Sequence, residues 1–455
     1  MPGPNPEDLE DPYQSTAEAE AHPGHAQEVV RQEVPSFLSR FFLAGHVYGL
    51  QSYLTPLSWV HQWTEYFYRS LGGPDMVKKY ECRPFLPVRI FFPAAYDQTS
   101  QQTLPTLFTV HGGGFCVGSS RDDDEWNRRF ADRHGALVVA LTYSKAPWAP
   151  FPTAVHDIEA VLLAVLSDES LPLDRAYRRN TQAPASLSLA VPAPIHDPLR
   201  PFAPPPPPPK HTRTRTALLG FSAGANLALA AAQLPTLRPH LAAAVSVCGL
   251  LDLSVPARRK LANRPFKTAA FPDLDDPRGA ATDDLVHTLP AYCWGYVPYG
   301  HDLRDPLLSP AWAAWESLPP FVGVVAAELD LLAFEGWQFA CRLAREGTGG
   351  RRVVPGRRAG EVQWSVCGRA DGTAGPGAGK GSLHDGGDER FGFEERWTGG
   401  GVKWLLVPDV VHGFDKLHLR QAAGGGEEVQ RDAELKTAAY VDEVGRWLTE
   451  KVWKL

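Results

Sequence analysis

A single serine, Ser222, stands between two glycines in "TALLGFSAGANLALA", residues 216–230. The aliphatic run from Thr216 to Leu219 reads as the end of a buried strand, and the alanine-rich stretch from Ala225 to Ala232 as a strong helix former. Ser222 therefore falls on the turn between them. So sharp a turn brings the positions two before and two after the serine into near contact, and only small residues fit there, here Gly220 and Gly224. The pattern is that of a nucleophile elbow, G-x-S-x-G between strand and helix, which presents a hydroxyl at the end of a sheet.

A hydroxyl is a weak nucleophile until a neutral imidazole takes its proton, and the imidazole needs a carboxylate to fix its tautomer. The stretch "TLFTVHGGGFCVG", residues 106–118, runs from a strand into three consecutive glycines that contribute nothing to packing but let amides turn toward one point. The N–H groups of Gly113, Gly114 and Ala223 are the expected donors to the oxyanion of a tetrahedral intermediate. The run lacks the G-K-[ST] or G-x-G-x-x-G pattern of a phosphate loop. Of the histidines after Ser222, only His412, in "LLVPDVVHGFDK", directly follows a strand candidate and precedes a glycine. Asp330, in "FVGVVAAELDLLAFEG", ends an apolar strand and faces a helix, a place that also suits an ordinary N-cap. Glu335 is the second candidate for the acid, but it lies inside the following helical pattern.

These loops need a scaffold, and the chain supplies strand candidates at 88–93, 106–112, 136–143, 216–222, 242–250, 321–330 and 403–413. Helical patterns fall between several of them, at about 123–134, 153–168, 223–234 and 334–346, with a last one near 432–453. Alternation of this kind predicts an α/β fold with a mostly parallel sheet flanked by helices, and in such sheets ligands bind beyond the carboxyl ends of the strands. Three stretches look unlike a packed domain: the acidic, proline-containing residues 1–28, residues about 178–212 with six consecutive prolines, and the glycine-rich residues about 346–400. The first is expected to be a disordered tail. The other two are expected to be insertions in a single domain over 29–455.

The formal charge of −7 and the pI near 6.1 give no reason to expect nucleic acid as a partner. Six widely spaced cysteines, without a C-x-x-C pair or a metal-ligand cluster, point to a reduced cytoplasmic protein with no metal site. Residues 41–64 contain no Asp, Glu, Lys or Arg, but histidines, glutamines and a proline interrupt them, where a membrane span needs about 20 predominantly apolar residues. An aromatic-rich helical cap over a pocket is the expectation, with loose membrane contact as the lesser alternative. Phe115, Trp148, Trp294 and Tyr296 are expected near the mouth of an apolar pocket.

In order along the chain, "HGGGF", "GFSAGANLALA", "DLRDPLLSP", "LPPFVGVVAAELDLLAFEG" and "VVHGF", together with "LTYSKAPWAPFPTAVHD", resemble the hormone-sensitive-lipase branch of the α/β-hydrolase fold. That branch includes carboxylesterases and arylacetamide-deacetylase-like enzymes. The resemblance covers about 75–177, 213–345 and 403–453, and implies a nucleophile at Ser222, an acid at Asp330, a base at His412 and no cofactor. It implies a serine hydrolase acting on small apolar esters of short to medium acyl length. An amide or formamide hydrolase using the same groups, and a non-catalytic binding protein of the same fold, are the alternatives. The chain departs from the family at the elbow, where Phe221 stands in place of an acidic residue and Ala225 in place of a glycine. The separation of 82 positions from Asp330 to His412 exceeds the family's usual spacing, and the glycine-rich insertion accounts for the excess.

Overall fold

The computed structural model describes residues 29–32, 34–67, 72–99, 102–174, 214–262, 285–349, 392–408, 410–416, 419 and 426–455. The expected tail at 1–28, the insertion at 178–212 and the 350–391 part of the second insertion lie outside these residues.

Among the described residues, nine strands form one sheet: β1 (Met76–Tyr80), β2 (Arg83–Phe91), β3 (Thr106–Val110), β4 (Leu137–Leu141), β5 (Thr216–Phe221), β6 (Ala243–Val247), β7 (Phe321–Ala327), β8 (Gly392–Trp397) and β9 (Gly400–Val407). Their order across the sheet is β1-β2-β4-β3-β5-β6-β7-β9-β8. The six strands from β4 to β9 in that order run parallel, while β1, β2 and β8 pair antiparallel at the two margins. The chain passes from β3 to β4 on one side and returns to β5 on the other. A crevice opens at such a reversal, beyond the carboxyl ends of the strands.

Every residue of β3, β4, β5 and β6 is buried, which is why they read as unbroken apolar runs. Successive side chains still divide between two cores, one on each face. Leu218, Ala244, Val324 and Trp404 pack on one face, with α3 (Thr153–Ser167), α4 (Ala223–Ala232) and α7 (Ala333–Gly347) over them. Leu219, Val245, Val325 and Leu405 pack on the other, under α2 (Asp124–His134) and α8 (Gly426–Arg446). The two short helices α5 (Ala257–Ala262) and α6 (Leu285–Tyr296) lie between β6 and β7 in sequence.

The charge-free N-terminal segment lies within a single helix, α1 (Phe37–Phe67), which packs on α6. Its Gln51 amide donates to the carbonyls of Cys116 and Ala146, both 2.8 Å away, and so fastens this cap to the loops at the sheet's end. No helix among the described residues is long and apolar enough to cross a membrane.

Two strands were not expected. β1 ("MVKKY") and β8 ("GFEERW") are marginal strands with exposed residues along their length, so neither forms an apolar run. β8 also corrects the far boundary of the 346–400 insertion, because Gly392–Trp397 pairs with Gly400–Leu405 of β9. Trp404, fully buried in β9 with its indole against Gly336 of α7, should matter most for this half of the sheet. Trp404→Ala is expected to cost about 3–5 kcal/mol, read as a lower midpoint of urea unfolding; a midpoint unchanged from the native chain would contradict this packing.

Candidate active site

The strand β5 ends at Phe221 and α4 begins at Ala223, leaving Ser222 alone on the turn with φ 53 and ψ −120. A residue other than glycine in this left-handed region is strained, and the surroundings hold it there. The Ser222 N–H donates to the Val247 carbonyl of the neighbouring strand at 2.8 Å. A Cβ added to Gly220 would stand 2.0 Å from the Gly224 carbonyl oxygen, and one added to Gly224 would stand 2.2 Å from that of Val110. Those distances leave no room for any side chain at either position.

Parallel strands deliver the other groups to the same edge. Asp330 follows β7, and its side chain is completely buried. One carboxylate oxygen accepts the Leu332 N–H at 2.9 Å, and the other lies 2.7 Å from His412 Nδ1. His412 follows β9, and its Nε2 lies 2.9 Å from Ser222 Oγ. A carboxylate only accepts, so the ring proton is on Nδ1 and Nε2 is free to take the serine proton. The three side chains thus stand in line, an arrangement in which an imidazole can take a hydroxyl proton, with the Asp330 contacts to Leu332 and to His412 made by different oxygens.

Glu335, the second candidate acid, is committed elsewhere. It lies on α7, forms a buried ion pair with Lys260 of α5 and accepts the Leu251 N–H at 2.7 Å. Burial pushes the Lys260 ammonium down to about 8.

The glycines after β3 fold back over the elbow. Gly113 and Gly114 have φ of 109 and 57, and a Cβ on either would collide, with the Val117 carbonyl in one case and the Tyr292 ring in the other. Both face the same edge of the sheet as Ala223, the first residue of α4. Among the described residues, no group of three or more His, Cys, Asp and Glu side chains is arranged to hold a metal ion.

The aromatic residues expected at the mouth divide differently. Phe115 and Tyr296 are fully buried and stacked on each other with ring centroids 3.8 Å apart, so they are packing and not pocket lining. Trp148 is 80 % exposed beside Tyr48, and the Trp294 indole donates to the Tyr299 hydroxyl. Tyr292, not singled out from sequence, sets its ring against Gly114 of the glycine loop.

A second group that sequence reading missed lies behind the elbow. Lys416, four residues past His412, reaches Asp123 at 2.7 Å, and both side chains are at least nine-tenths buried. Its ammonium also stands over the ring of Phe221, 5.4 Å from the centroid. The pair therefore ties the histidine loop to the 3₁₀ turn that precedes α2 and to the residue before Ser222. Only the proximity of Lys416 to His412 in sequence hinted at it. Lys416→Met should leave the Asp123 carboxylate buried without its cation and cost about 3–5 kcal/mol, with much of the loss recovered in the double variant with Asp123→Asn. Urea unfolding of the three variants checks this, and a single variant as stable as the native chain would contradict it.

Residues 107–354 match the alpha/beta hydrolase fold family. An acetyl-hydrolase of Streptomyces hygroscopicus is 30% identical over 239 residues, covering 52% of this chain and 60% of that protein. The arylacetamide deacetylase of Oryctolagus cuniculus is 36% identical over 88 residues, covering 19% of this chain and 21% of that one. The chain thus spans three fifths of the first relative and about a fifth of the second. Among solved structures, a hyperthermophilic esterase from Pyrobaculum calidifontis superposes with a TM-score of 0.52 at 18% identity, over 91% of this chain and 98% of that one. That likeness speaks to the fold. With the match over more than half of its length, a nine-stranded sheet and a strand-turn-helix serine at its carboxyl edge, the chain belongs to the alpha/beta hydrolase fold family.

Proposed function

We propose that the protein is a serine hydrolase that cleaves small apolar carboxylic esters through an acyl-enzyme on Ser222. The observation that carries this reading is the continuous line from Asp330 through His412 to Ser222 Oγ, with contacts of 2.7 and 2.9 Å, beside a glycine loop whose Gly112 lies against Ser222. Ser222 Oγ attacks the ester carbonyl as its proton passes to His412 Nε2, and Asp330 stabilises the imidazolium that forms. The N–H groups of Gly113, Gly114 and Ala223 take the charge that develops on the carbonyl oxygen. Collapse of the intermediate expels the alcohol, which leaves with the proton from His412. A water then attacks the acyl group by the same route in reverse, releasing the acid and restoring the serine. No step calls for a cofactor.

Likeness to an acetyl-hydrolase and to an arylacetamide deacetylase supports a short to medium acyl group as the one transferred. The free thiols of Cys82, Cys116, Cys248, Cys293 and Cys341 among the described residues suit a reducing compartment, and we place the protein in the cytoplasm on that basis.

Turnover of p-nitrophenyl esters of increasing acyl length tests the reading. Short and medium esters should be cleaved and long ones poorly. Ser222→Ala should lose more than about a thousandfold in kcat with an unchanged circular dichroism spectrum, because alanine fits the turn but lacks the nucleophile. Adding His412→Ala or Asp330→Ala to it should cost little more, since the three act as one unit. Retained turnover in a folded Ser222→Ala protein would overturn the assignment.

A further inference from the structure

Lys145 lies just past β4, behind the glycine loop. Its ammonium is 3.0 Å from His111 Nε2 and 2.6 Å from the Tyr143 carbonyl, which accepts from it. His111 is buried and stacked on the Tyr143 ring, with centroids 4.5 Å apart and 11° between the planes. The same ring has the Lys145 ammonium 3.7 Å from its centroid. On its other side, His111 Nδ1 is 2.7 Å from the Gly112 carbonyl.

These contacts settle the tautomer. A carbonyl only accepts, so Nδ1 carries the ring hydrogen and donates to Gly112. Nε2 is then the acceptor, with Lys145 as its donor and the Thr142 hydroxyl 3.2 Å away. The Tyr143 hydroxyl divides its own donation between the carbonyls of His111 and Gly112, each at 3.3 Å. The carbonyl of Gly112 and the N–H of Gly113 are the two ends of one peptide group. Donation into the carbonyl draws electron density from the nitrogen and strengthens the N–H as a donor, and a charged donor at the head of the chain strengthens each bond after it.

We propose that Lys145, as its ammonium, is a positioning residue for the oxyanion hole, acting through His111 and the Gly112–Gly113 peptide on the Gly113 N–H. The inference rests on the ester-hydrolase reading given above, in which Gly113 is a donor to the oxyanion. In "LTYSKAPWAPF" nothing marks Lys145 as different from a surface lysine; its bond to a histidine 34 residues earlier appears only in the fold.

The titration of Lys145 makes the proposal testable. The groups that face it are His111 and Cys116 from the glycine loop, Tyr143 from the end of its own strand, Asp122 from the 3₁₀ turn and Asp157 from α3; Lys416 faces His111 from the histidine loop. Burial pushes Lys145 down to about 7, against the opposing pull of the Asp122 and Asp157 carboxylates. Burial, and then the Lys145 charge, hold His111 well below the usual imidazole range, so it stays a neutral relay. The ammonium is thus present below neutrality and is lost as the pH rises through about 7. Oxyanion stabilisation should weaken over that interval, adding an alkaline limb to the acid limb that the base His412 produces.

The experiment is the pH profile of kcat/KM for the native chain, Lys145→Met and Lys145→Arg, with kcat and KM separated at pH 6. The native profile should be bell-shaped. Lys145→Met should lose about tenfold in kcat with little change in KM, less than the ~10²–10³-fold cost of deleting an oxyanion donor outright, and should have no alkaline limb. Lys145→Arg should recover kcat to within about threefold and also lack the alkaline limb, because a guanidinium keeps its charge across the range. An alkaline limb that survives in both variants, or native kcat in Lys145→Met, would overturn the proposal. The ¹⁵N resonances of His111 supply a readout that needs no turnover. They should report the Nδ1–H tautomer and shift at Nε2 as Lys145 titrates, a shift absent from Lys145→Met. A His111 signal that behaves so in a chain with no esterase activity would sink the ester reading alone, whereas activity with no such shift would sink the linkage alone.

Discussion

The left-handed turn at Ser222 is the constraint on which the rest of the site depends. A serine at φ 53 is held in a conformation it would leave if free, and it stays because strand, turn and helix are locked on both sides. Gly220 and Gly224 meet backbone to backbone, the Ser222 N–H is anchored to β6, and α4 is buried over its whole length. The strain is local, and the burial that opposes it spans two cores. Ser222 keeps its hydroxyl at the edge of the sheet because the flanking elements have nowhere else to go.

Around that fixed point, each partner arrives on the carboxyl end of a different parallel strand. β3 brings the glycine loop, β7 brings Asp330 and β9 brings His412. Loops alone would leave these groups loosely placed, and buried polar contacts remove the slack. Asp330 is tied to Leu332 as well as to His412; Lys416 ties the histidine loop to Asp123; Lys145 and Tyr143 tie the glycine loop to β4 through His111. Such bonds inside a dry interior are strong because no water competes, and costly to break for the same reason. The site is a set of loops braced from behind by buried polar and charged side chains.

What was legible in the sequence and what was not follows from the range of the interactions involved. The elbow, the glycine loop and the strand-ending positions of Asp330 and His412 are local signals, carried by residues within a few positions of one another. The central strands are legible because burial on both faces makes them continuous apolar runs, whereas β1 and β8 are marginal and half exposed and so give no apolar run to find. Phe115 and Tyr296 look like pocket residues by type, but type does not reveal that each faces the other. The Lys145–His111 and Asp123–Lys416 contacts join positions far apart in the chain, and no spacing rule anticipates them.

The central claim is that Ser222 forms a covalent bond to the acyl group, and covalent trapping tests it most directly. The protein is treated with a fluorophosphonate, which mimics the tetrahedral intermediate and stays bonded to an activated serine, and its peptides are mapped by mass spectrometry. The account predicts one phosphonyl group per chain, on the peptide that contains Ser222, formed far more slowly when His412 is replaced by asparagine. Labelling at another residue, or none at Ser222 in a folded and otherwise native chain, would contradict it.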